Sequence, residues 1–143
     1  MNTSTVVLDN VFDASTVDSI LNHIDDSTSN VKWYNLMDKH IHIDLCLNLL
    51  EISNRCYEMS SCIGYEFCTR LSSNEKIIRY PLCSIIYYPH VQDLKGGRLL
   101  LEDDIITPKS NRLVLFAPGR YRNVEEFTGE RIEVVVNPFS KYS

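Results

Sequence analysis

Two segments in the first half of the chain place apolar residues three or four positions apart, as an amphipathic helix does. The first set follows Asp13: Val17, Ile20, Leu21 and Ile24. The second set follows Asp44: Leu45, Leu49, Ile52, Cys56 and Met59. Aspartate is a favoured N-cap residue, so the pattern predicts a short helix that starts at Asp13 and a second helix over residues 44–59.

After Gly64 the pattern changes to short runs rich in β-branched and aromatic residues, which are typical of strands. Turn signals such as Gly96-Gly97 and Pro118-Gly119 separate several of the runs. The runs predict six strands, over residues 65–70, 83–88, 98–102, 113–116, 121–125 and 131–137. Helices first and strands afterwards indicate an α+β, mainly β domain, with N-terminal helices packed on an antiparallel sandwich or barrel.

The length and composition of the chain are those of one globular domain. It has 143 residues, of which 44% are hydrophobic and 23% are charged. No repeat, low-complexity segment or linker divides it. We therefore predict a single domain over residues 1–143, with helical support in residues 1–62 and a β-rich core in residues 63–143.

The formal net charge of −5 excludes broad binding to nucleic acid, which requires a basic surface. Residues 1–71 carry four basic and ten acidic side chains, whereas residues 72–143 carry ten and nine, so we expect any anion site in the second half. No apolar stretch approaches the roughly 18 residues of a membrane span. The five cysteines show no C-x-x-C spacing and the N-terminus has no targeting signal, so we expect a cytoplasmic protein without a membrane partner.

An ordered set of motifs lies within residues 80–139. An apolar strand ends in Tyr87-Tyr88, the Gly96-Gly97 turn enters a leucine-rich strand, and a proline turn leads to the run LVLF. The set closes with Thr128-Gly129-Glu130-Arg131 and a strand that ends in Asn137-Pro138-Phe139. This order resembles the C-terminal part of the iron(II)/2-oxoglutarate-dependent oxygenases, particularly the small prolyl-hydroxylase-like members found in phages.

The resemblance implies a double-stranded β-helix, which is a cupin-like variant of the jelly roll, and a location in the host cytoplasm for a phage-encoded protein. Active relatives hydroxylate a C–H bond while 2-oxoglutarate is decarboxylated, and a His-x-Asp pair with a distal histidine holds their Fe(II). A later arginine binds the far carboxylate of 2-oxoglutarate, and Arg131 matches that arginine. Tyr88 matches a tyrosine that relatives use on the same carboxylate. Tyr87 should then point to the opposite face of the strand.

The metal ligands of the family do not carry over to this sequence. The distal histidine position falls on Arg122, which is permanently protonated and is not an ordinary Fe(II) ligand. The His-x-Asp positions fall on Ser72 and Asn74, in a stretch that contains no histidine. The resemblance therefore implies a member without the intact triad.

Arg122 has two interpretations. In one, its positive charge partly replaces that of Fe²⁺ and, together with Arg131, holds a dicarboxylate without metal. In the other, which we favour, Arg122 forms a salt bridge with a nearby acid. The candidate acids are Glu125, Glu126 and Glu133.

We therefore predict a degenerate oxygenase relative that is metal-free and binds a small dicarboxylate or an unknown protein partner. One alternative is an active Fe(II)/2-oxoglutarate-dependent dioxygenase with relocated ligands, for which His90 and Asp93 are weak candidates. Another is a non-catalytic protein-interaction module. The tripeptide His42-Ile43-Asp44 has the His-x-Asp form, but it precedes the second helix, where Asp44 is better explained as a helix cap.

Overall fold

Two helices and nine strands make up the part of the chain that this computed structural model describes, which is residues 5–24, 29–70, 81–102, 104–117 and 122–141. The helices are α1 (Ala14–His23) and α2 (Ile43–Ser53). The strands are β1 (Val6–Asp9), β2 (Lys32–Asn35), β3 (Gly64–Arg70), β4 (Ser84–Gly96), β5 (Leu99–Leu101), β6 (Asp104–Ile106), β7 (Arg112–Phe116), β8 (Arg122–Val124) and β9 (Phe127–Phe139). Neither helix has the length and apolar character needed to cross a membrane.

The strands form two antiparallel sheets. The larger sheet has six strands in the order β1-β7-β4-β9-β3-β2, and the smaller sheet has three in the order β6-β5-β8. The two longest strands, β4 and β9, have 13 residues each and pair at the centre of the larger sheet. Two sheets with helices from the N-terminal half confirm the predicted α+β, mainly β architecture.

Both faces of the larger sheet carry buried residues, since side chains that alternate along β4 belong to two different apolar clusters. One face packs against the helices, and there Tyr87 and Val134 share a cluster with Leu45 and Leu49 of α2. The other face and the smaller sheet share a second apolar cluster, which we call the barrel interior: Ile86, Tyr88, Leu99, Leu101, Ile106, Val114, Phe116 and Val124. Alternate residues of β4 thus belong to different cores.

Three strands, β1, β2 and β6, are absent from the sequence prediction. β1 and β2 lie within residues 1–62 and form the two edges of the larger sheet, so this segment contributes strands as well as helices. β1 has four residues and pairs with β7, with Val6 opposite Leu115; β2 also has four and pairs with β3, with Tyr34 opposite Tyr65. Such short strands depend on partners distant in sequence, which local periodicity cannot reveal.

Strands β4 and β9 also extend beyond their predicted ends, to Gly96 and back to Phe127. The extension is a polar two-stranded arm in which Gln92 lies opposite Glu130. Register shifts in β4 before His90 and after Gln92 interrupt the pairing. Most side chains of the arm are exposed, so it lacks the apolar alternation by which a half-buried strand is recognised.

The first helix agrees with its prediction and the second is shorter than predicted. Asp13 caps α1, since its Oδ1 accepts a hydrogen bond from the backbone N–H of Thr16 at 2.8 Å. The N-cap of α2 is His42, without a side-chain cap hydrogen bond, so the prediction of Asp44 as the cap is wrong. The predicted end at residue 59 is also wrong, because α2 ends at Ser53, whose hydroxyl donates to the carbonyl oxygen of Leu49.

Cys56, which the helical pattern places on the buried face, is exposed, whereas Met59 returns to the core by another route. The sulfur of Met59 lies 3.8 Å from Sγ of Cys83. Met59 is buried although it lies beyond the end of the helix, and its position in the sequence happens to continue the helical spacing. The sequence pattern therefore predicted a helix that is too long.

Two glycines permit the close pairing of the polar arm. Gly96 has a φ of 79° and Gly129 a φ of 100°, and L side chains rarely adopt either conformation. A β-carbon on Gly96 would overlap the carbonyl oxygen of Glu126, and one on Gly129 would overlap that of Asp93. Backbone of the partner strand thus occupies the space that a side chain would need.

Replacing Gly129 with Ala should lower the free energy of unfolding by about 1–3 kcal/mol, because the new β-carbon adds both backbone strain and overlap with β4. Thr128→Ala, one residue earlier and exposed, should change that free energy by less than about 0.5 kcal/mol. Urea unfolding of both variants measures the difference. Equal stability of the two variants would show that the arm tolerates a side chain at residue 129.

A histidine connects the loop before α2 to β3. The His40 ring stacks on Tyr34 with centroids 3.8 Å apart, and its Nε2 lies 2.6 Å from the hydroxyl oxygen of Tyr65. Burial, reinforced by the nearby His42, lowers the pKa of His40 below its usual value of 6.5. The fold therefore favours the neutral imidazole.

Because His40 binds a proton less readily in the folded state than in the unfolded state, it should make the protein less stable as the pH falls below about 6.5. His40→Gln should reduce the loss of unfolding free energy between about pH 7.5 and about pH 5.5. His23→Gln, which changes an exposed histidine at the end of α1, serves as the matched control. The same pH dependence in wild type and His40→Gln would contradict this role.

Candidate carboxylate site in the barrel

Arg131 lies on β9, opposite Val91 of β4, and its side chain is fully buried. The guanidinium carbon lies 4.6 Å from the centre of the Phe127 ring, so the planar cation lies over an aromatic face. Gly97 approaches the same side chain, and a β-carbon at that residue would lie 3.5 Å from Cδ of Arg131. Arg131 is therefore an enclosed cation and not a surface arginine of an exposed strand.

The counter-charge of Arg131 is Glu133, two residues farther along β9. Residues 131, 133 and 135 share one face of the strand, and Val135 lies opposite Ile86 of the barrel interior. Nη1 of Arg131 lies 2.5 Å from Oε2 of Glu133, and both side chains have 0% exposure. A buried charge is tolerated only with a partner, so this acid is what allows an arginine in the barrel.

Five polar atoms of the pair have no aligned hydrogen-bond partner among the described residues: Nε, Nη1 and Nη2 of Arg131, and Oε1 and Oε2 of Glu133. The 2.5 Å contact is therefore a close charge contact that lacks the alignment of a hydrogen bond. Leaving a buried polar group unsatisfied costs about 1–3 kcal/mol, and more when the group is charged. Such atoms mark a place where a polar ligand or water can bind.

The two adjacent tyrosines of β4 point in opposite directions, as the alternation of a regular strand predicts. Tyr88 is fully buried in the barrel interior. Tyr87 packs on the helical face, where its hydroxyl donates to Oδ1 of Asn111 at 2.7 Å and its ring meets Phe12 edge to face. Tyr88 is thus the tyrosine that shares the barrel with the guanidinium of Arg131.

Arg122 begins β8, which pairs with β5 of the smaller sheet, and its side chain lies outside the described part of the structure. Two of the three acids considered as its partners contact other arginines. Glu125 accepts two hydrogen bonds from the side chain of Arg98, at 2.7 Å from Nε and 2.6 Å from Nη2. Glu133 contacts Arg131.

The histidines considered as alternative metal ligands have other contacts. His90 is partly exposed, and its Nε2 lies 2.9 Å from Oε1 of Glu130, while Asp93 is exposed in a left-handed backbone conformation. His42 is buried with its ring stacked on Phe67, 5.0 Å between centroids. Within the described ranges, no three His, Cys, Asp or Glu residues form a group that could hold a metal ion.

By sequence, no protein-family model and no curated protein matches the chain. Its structure nevertheless matches solved structures over almost its whole length. A prolyl-4-hydroxylase from Pseudomonas putida aligns with a TM-score of 0.67 at 13% identity, covering 99% of this chain and 90% of the other. A prolyl hydroxylase from Trichoplax adhaerens, in complex with a hypoxia inducible factor peptide fragment, aligns with a TM-score of 0.64 at 14% identity, covering 97% and 84%. The chain has the fold of the 2-oxoglutarate/iron(II) oxygenases.

A third structure of the oxygenase fold extends the match beyond the prolyl hydroxylases. An oxidoreductase of the 2OG-Fe(II) oxygenase family from Burkholderia pseudomallei aligns with a TM-score of 0.62 at 13% identity, covering 96% of this chain and 86% of the other. These matches confirm the double-stranded β-helix that the motifs of residues 80–139 imply. They cover the N-terminal elements as well, which the motifs do not.

The oxygenase fold implies an iron centre, but the described residues contain no group of His, Cys, Asp and Glu side chains that fits one. Arg122 occupies the position that the resemblance assigns to the distal histidine, and a guanidinium is a donor of protons and not a metal ligand. Ser72 and Asn74, at the other two ligand positions, lie outside the described residues, and their side chains are poor replacements for imidazole and carboxylate.

The buried pair yields a stability prediction. Arg131→Met should lower the free energy of unfolding by about 3–5 kcal/mol, because the carboxylate of Glu133 then remains buried without a counter-charge. The double variant Arg131→Met/Glu133→Leu removes both charges and should recover most of that loss. Urea unfolding of the single and double variants measures the recovery.

The matched control is Arg98→Met, which breaks the exposed pair with Glu125 and should change stability little because solvent screens that pair. A double variant as unstable as Arg131→Met would show that the two charges do not stabilise each other.

Proposed function

We propose that this protein is a degenerate member of the 2-oxoglutarate/iron(II) oxygenase superfamily that binds a small carboxylate through Arg131 and does not carry the iron triad. One observation carries the proposal. A fully buried guanidinium lies inside an oxygenase fold, and none of its three nitrogens has an aligned hydrogen-bond partner in the described part of the chain. A bound carboxylate would supply the missing acceptors.

The surroundings of Arg131 favour a planar anion. A guanidinium can donate two parallel hydrogen bonds to one carboxylate, which a lysine cannot do. Phe127 covers one face of the guanidinium, so a ligand would bind along its edge, where Glu133 contacts Nη1. The hydroxyl of Tyr88 is a second buried donor in the same interior, as the resemblance implies for the cosubstrate carboxylate.

The proposed activity is binding, since hydroxylation in the superfamily needs the metal that this donor set does not fit. A dicarboxylate such as 2-oxoglutarate is the first candidate ligand, because the fold is that of proteins that use it. All five cysteines are free thiols, which suits a reducing compartment, so we propose a cytoplasmic location.

The test is calorimetric titration with 2-oxoglutarate and with Mn²⁺ under anaerobic conditions. We expect 2-oxoglutarate to bind without metal and Arg131→Met/Glu133→Leu to weaken that binding by about 10- to 100-fold, as the loss of a charged hydrogen-bonding group does. Circular dichroism of the double variant verifies that its fold is retained. Arg98→Met should bind like wild type, because Arg98 lies outside the barrel in an exposed pair.

The same titration discriminates between the alternatives. Tight Mn²⁺ binding, lost when His90 or Asp93 is replaced with Ala, would overturn the metal-free proposal in favour of an active dioxygenase with relocated ligands. Absence of binding by both 2-oxoglutarate and Mn²⁺ would favour a protein-interaction module.

A further inference from the structure

We propose that Glu133 couples ligand binding at Arg131 to the uptake of one proton. This inference rests on the proposed carboxylate site. It adds a dependence of ligand binding on proton uptake, which the family resemblance does not imply. The buried partner of the arginine is an acid of the same strand, so a ligand carboxylate has to share the cation with it. Glu133 would thus be a specificity-determining residue of the site.

Arg131 and Glu133 are both fully buried and together carry no net charge when both are ionised. A ligand carboxylate at Arg131 would place two negative groups beside one guanidinium, away from solvent. Two carboxylates that share a buried site cannot both ionise without a large cost, so one of them takes up a proton.

Glu133 is the group that gains from the proton. Both of its carboxylate oxygens lack an aligned hydrogen-bond partner among the described residues. An ionised carboxylate only accepts hydrogen bonds, whereas the protonated form also donates one. Protonated Glu133 can therefore donate to the incoming carboxylate while Arg131 donates to it from the other side. The proton comes from solvent, and no other bond forms or breaks.

The neighbouring strands limit what else could compensate for the added charge. On β9 itself the facing charge is Arg131. On β4 the titratable group of the interior is Tyr88, and on the smaller sheet the charged residue to consider is Arg122, which begins β8. On β3 the residues in register with this face of β9 are Arg70, Cys68 and Glu66, opposite Glu133, Val135 and Asn137.

A second cation could balance the ligand without a proton, and two arginines have to be tested for this: Arg122, which the resemblance assigns to the metal position, and Arg70. Arg70 lies opposite Glu133 in the register of β3 and β9. Arg70→Gln and Arg122→Gln therefore both belong in the experiment. Proton uptake that stays near one in these variants would show that Glu133, and not a second arginine, compensates for the charge of the ligand.

The experiment counts protons directly. Succinate and 2-oxoglutarate are titrated into the wild type between about pH 6 and about pH 8, in PIPES and in imidazole, whose ionisation enthalpies differ. The difference in apparent binding enthalpy between the two buffers gives the number of protons taken up. We expect about one proton to be taken up per carboxylate bound at Arg131, and therefore an affinity that falls about tenfold for each unit by which the pH rises.

Glu133→Gln is the decisive variant, because it keeps the shape of the side chain and its hydrogen-bonding capacity without the charge. It should bind succinate more tightly than wild type at about pH 8, with no proton uptake and little dependence on pH. Glu125→Gln is the matched control, since Glu125 pairs with exposed Arg98 and should leave the proton count near one.

The outcomes separate this inference from the proposal on which it rests. Wild-type protein that binds either acid with no proton uptake, and with an affinity unchanged in Glu133→Gln, overturns the inference and leaves the carboxylate site intact. Failure of both wild type and folded Glu133→Gln to bind either acid at any pH overturns the carboxylate site itself. The proton count of the wild type requires no variant, so the inference stays testable even if Glu133→Gln does not fold.

Discussion

The pairing of β4 with β9 is the interaction on which the rest of the structure depends. These two strands run side by side through the centre of the larger sheet, and each supplies alternate residues to the helical core and to the barrel interior. β7 pairs with β4 on one side and β3 pairs with β9 on the other. The same pairing brings Tyr88 and Arg131 to the barrel face of the larger sheet. The core and the candidate site therefore depend on the same two strands.

The ion pair in the barrel limits how the proposed site could attract an anion. In a polar pocket a free arginine would attract any small anion, but Arg131 already has the charge of Glu133 beside it. Electrostatic attraction alone is then weak, and the ligand has to satisfy donors and acceptors that the described residues leave without aligned partners. Hydrogen-bonding complementarity, and not net charge, would decide what binds.

How much the sequence could predict differed between elements for physical reasons. The α1 helix was predictable because its apolar spacing and its Asp13 cap act within a few residues. The end of α2 was mistaken because the core residue Met59, which packs on Cys83, happens to continue the helical period. β1 and β2 were missed because four-residue edge strands exist only through their distant partners. The polar arm was missed because exposed strands carry no apolar alternation.

The sequence by itself determined the order of motifs in residues 80–139, and with it the fold, as well as the identity of Arg131 and the lack of histidine at the expected iron positions. Strand alternation also determined that Tyr87 and Tyr88 point to opposite faces. The tertiary structure alone decided that Arg131 is buried and that its partner is Glu133. From the sequence, Glu133 was one of three candidate partners for a different arginine, Arg122. Burial is the reason: the sequence shows which charges exist, but a charge needs a specific partner only where the fold removes it from water.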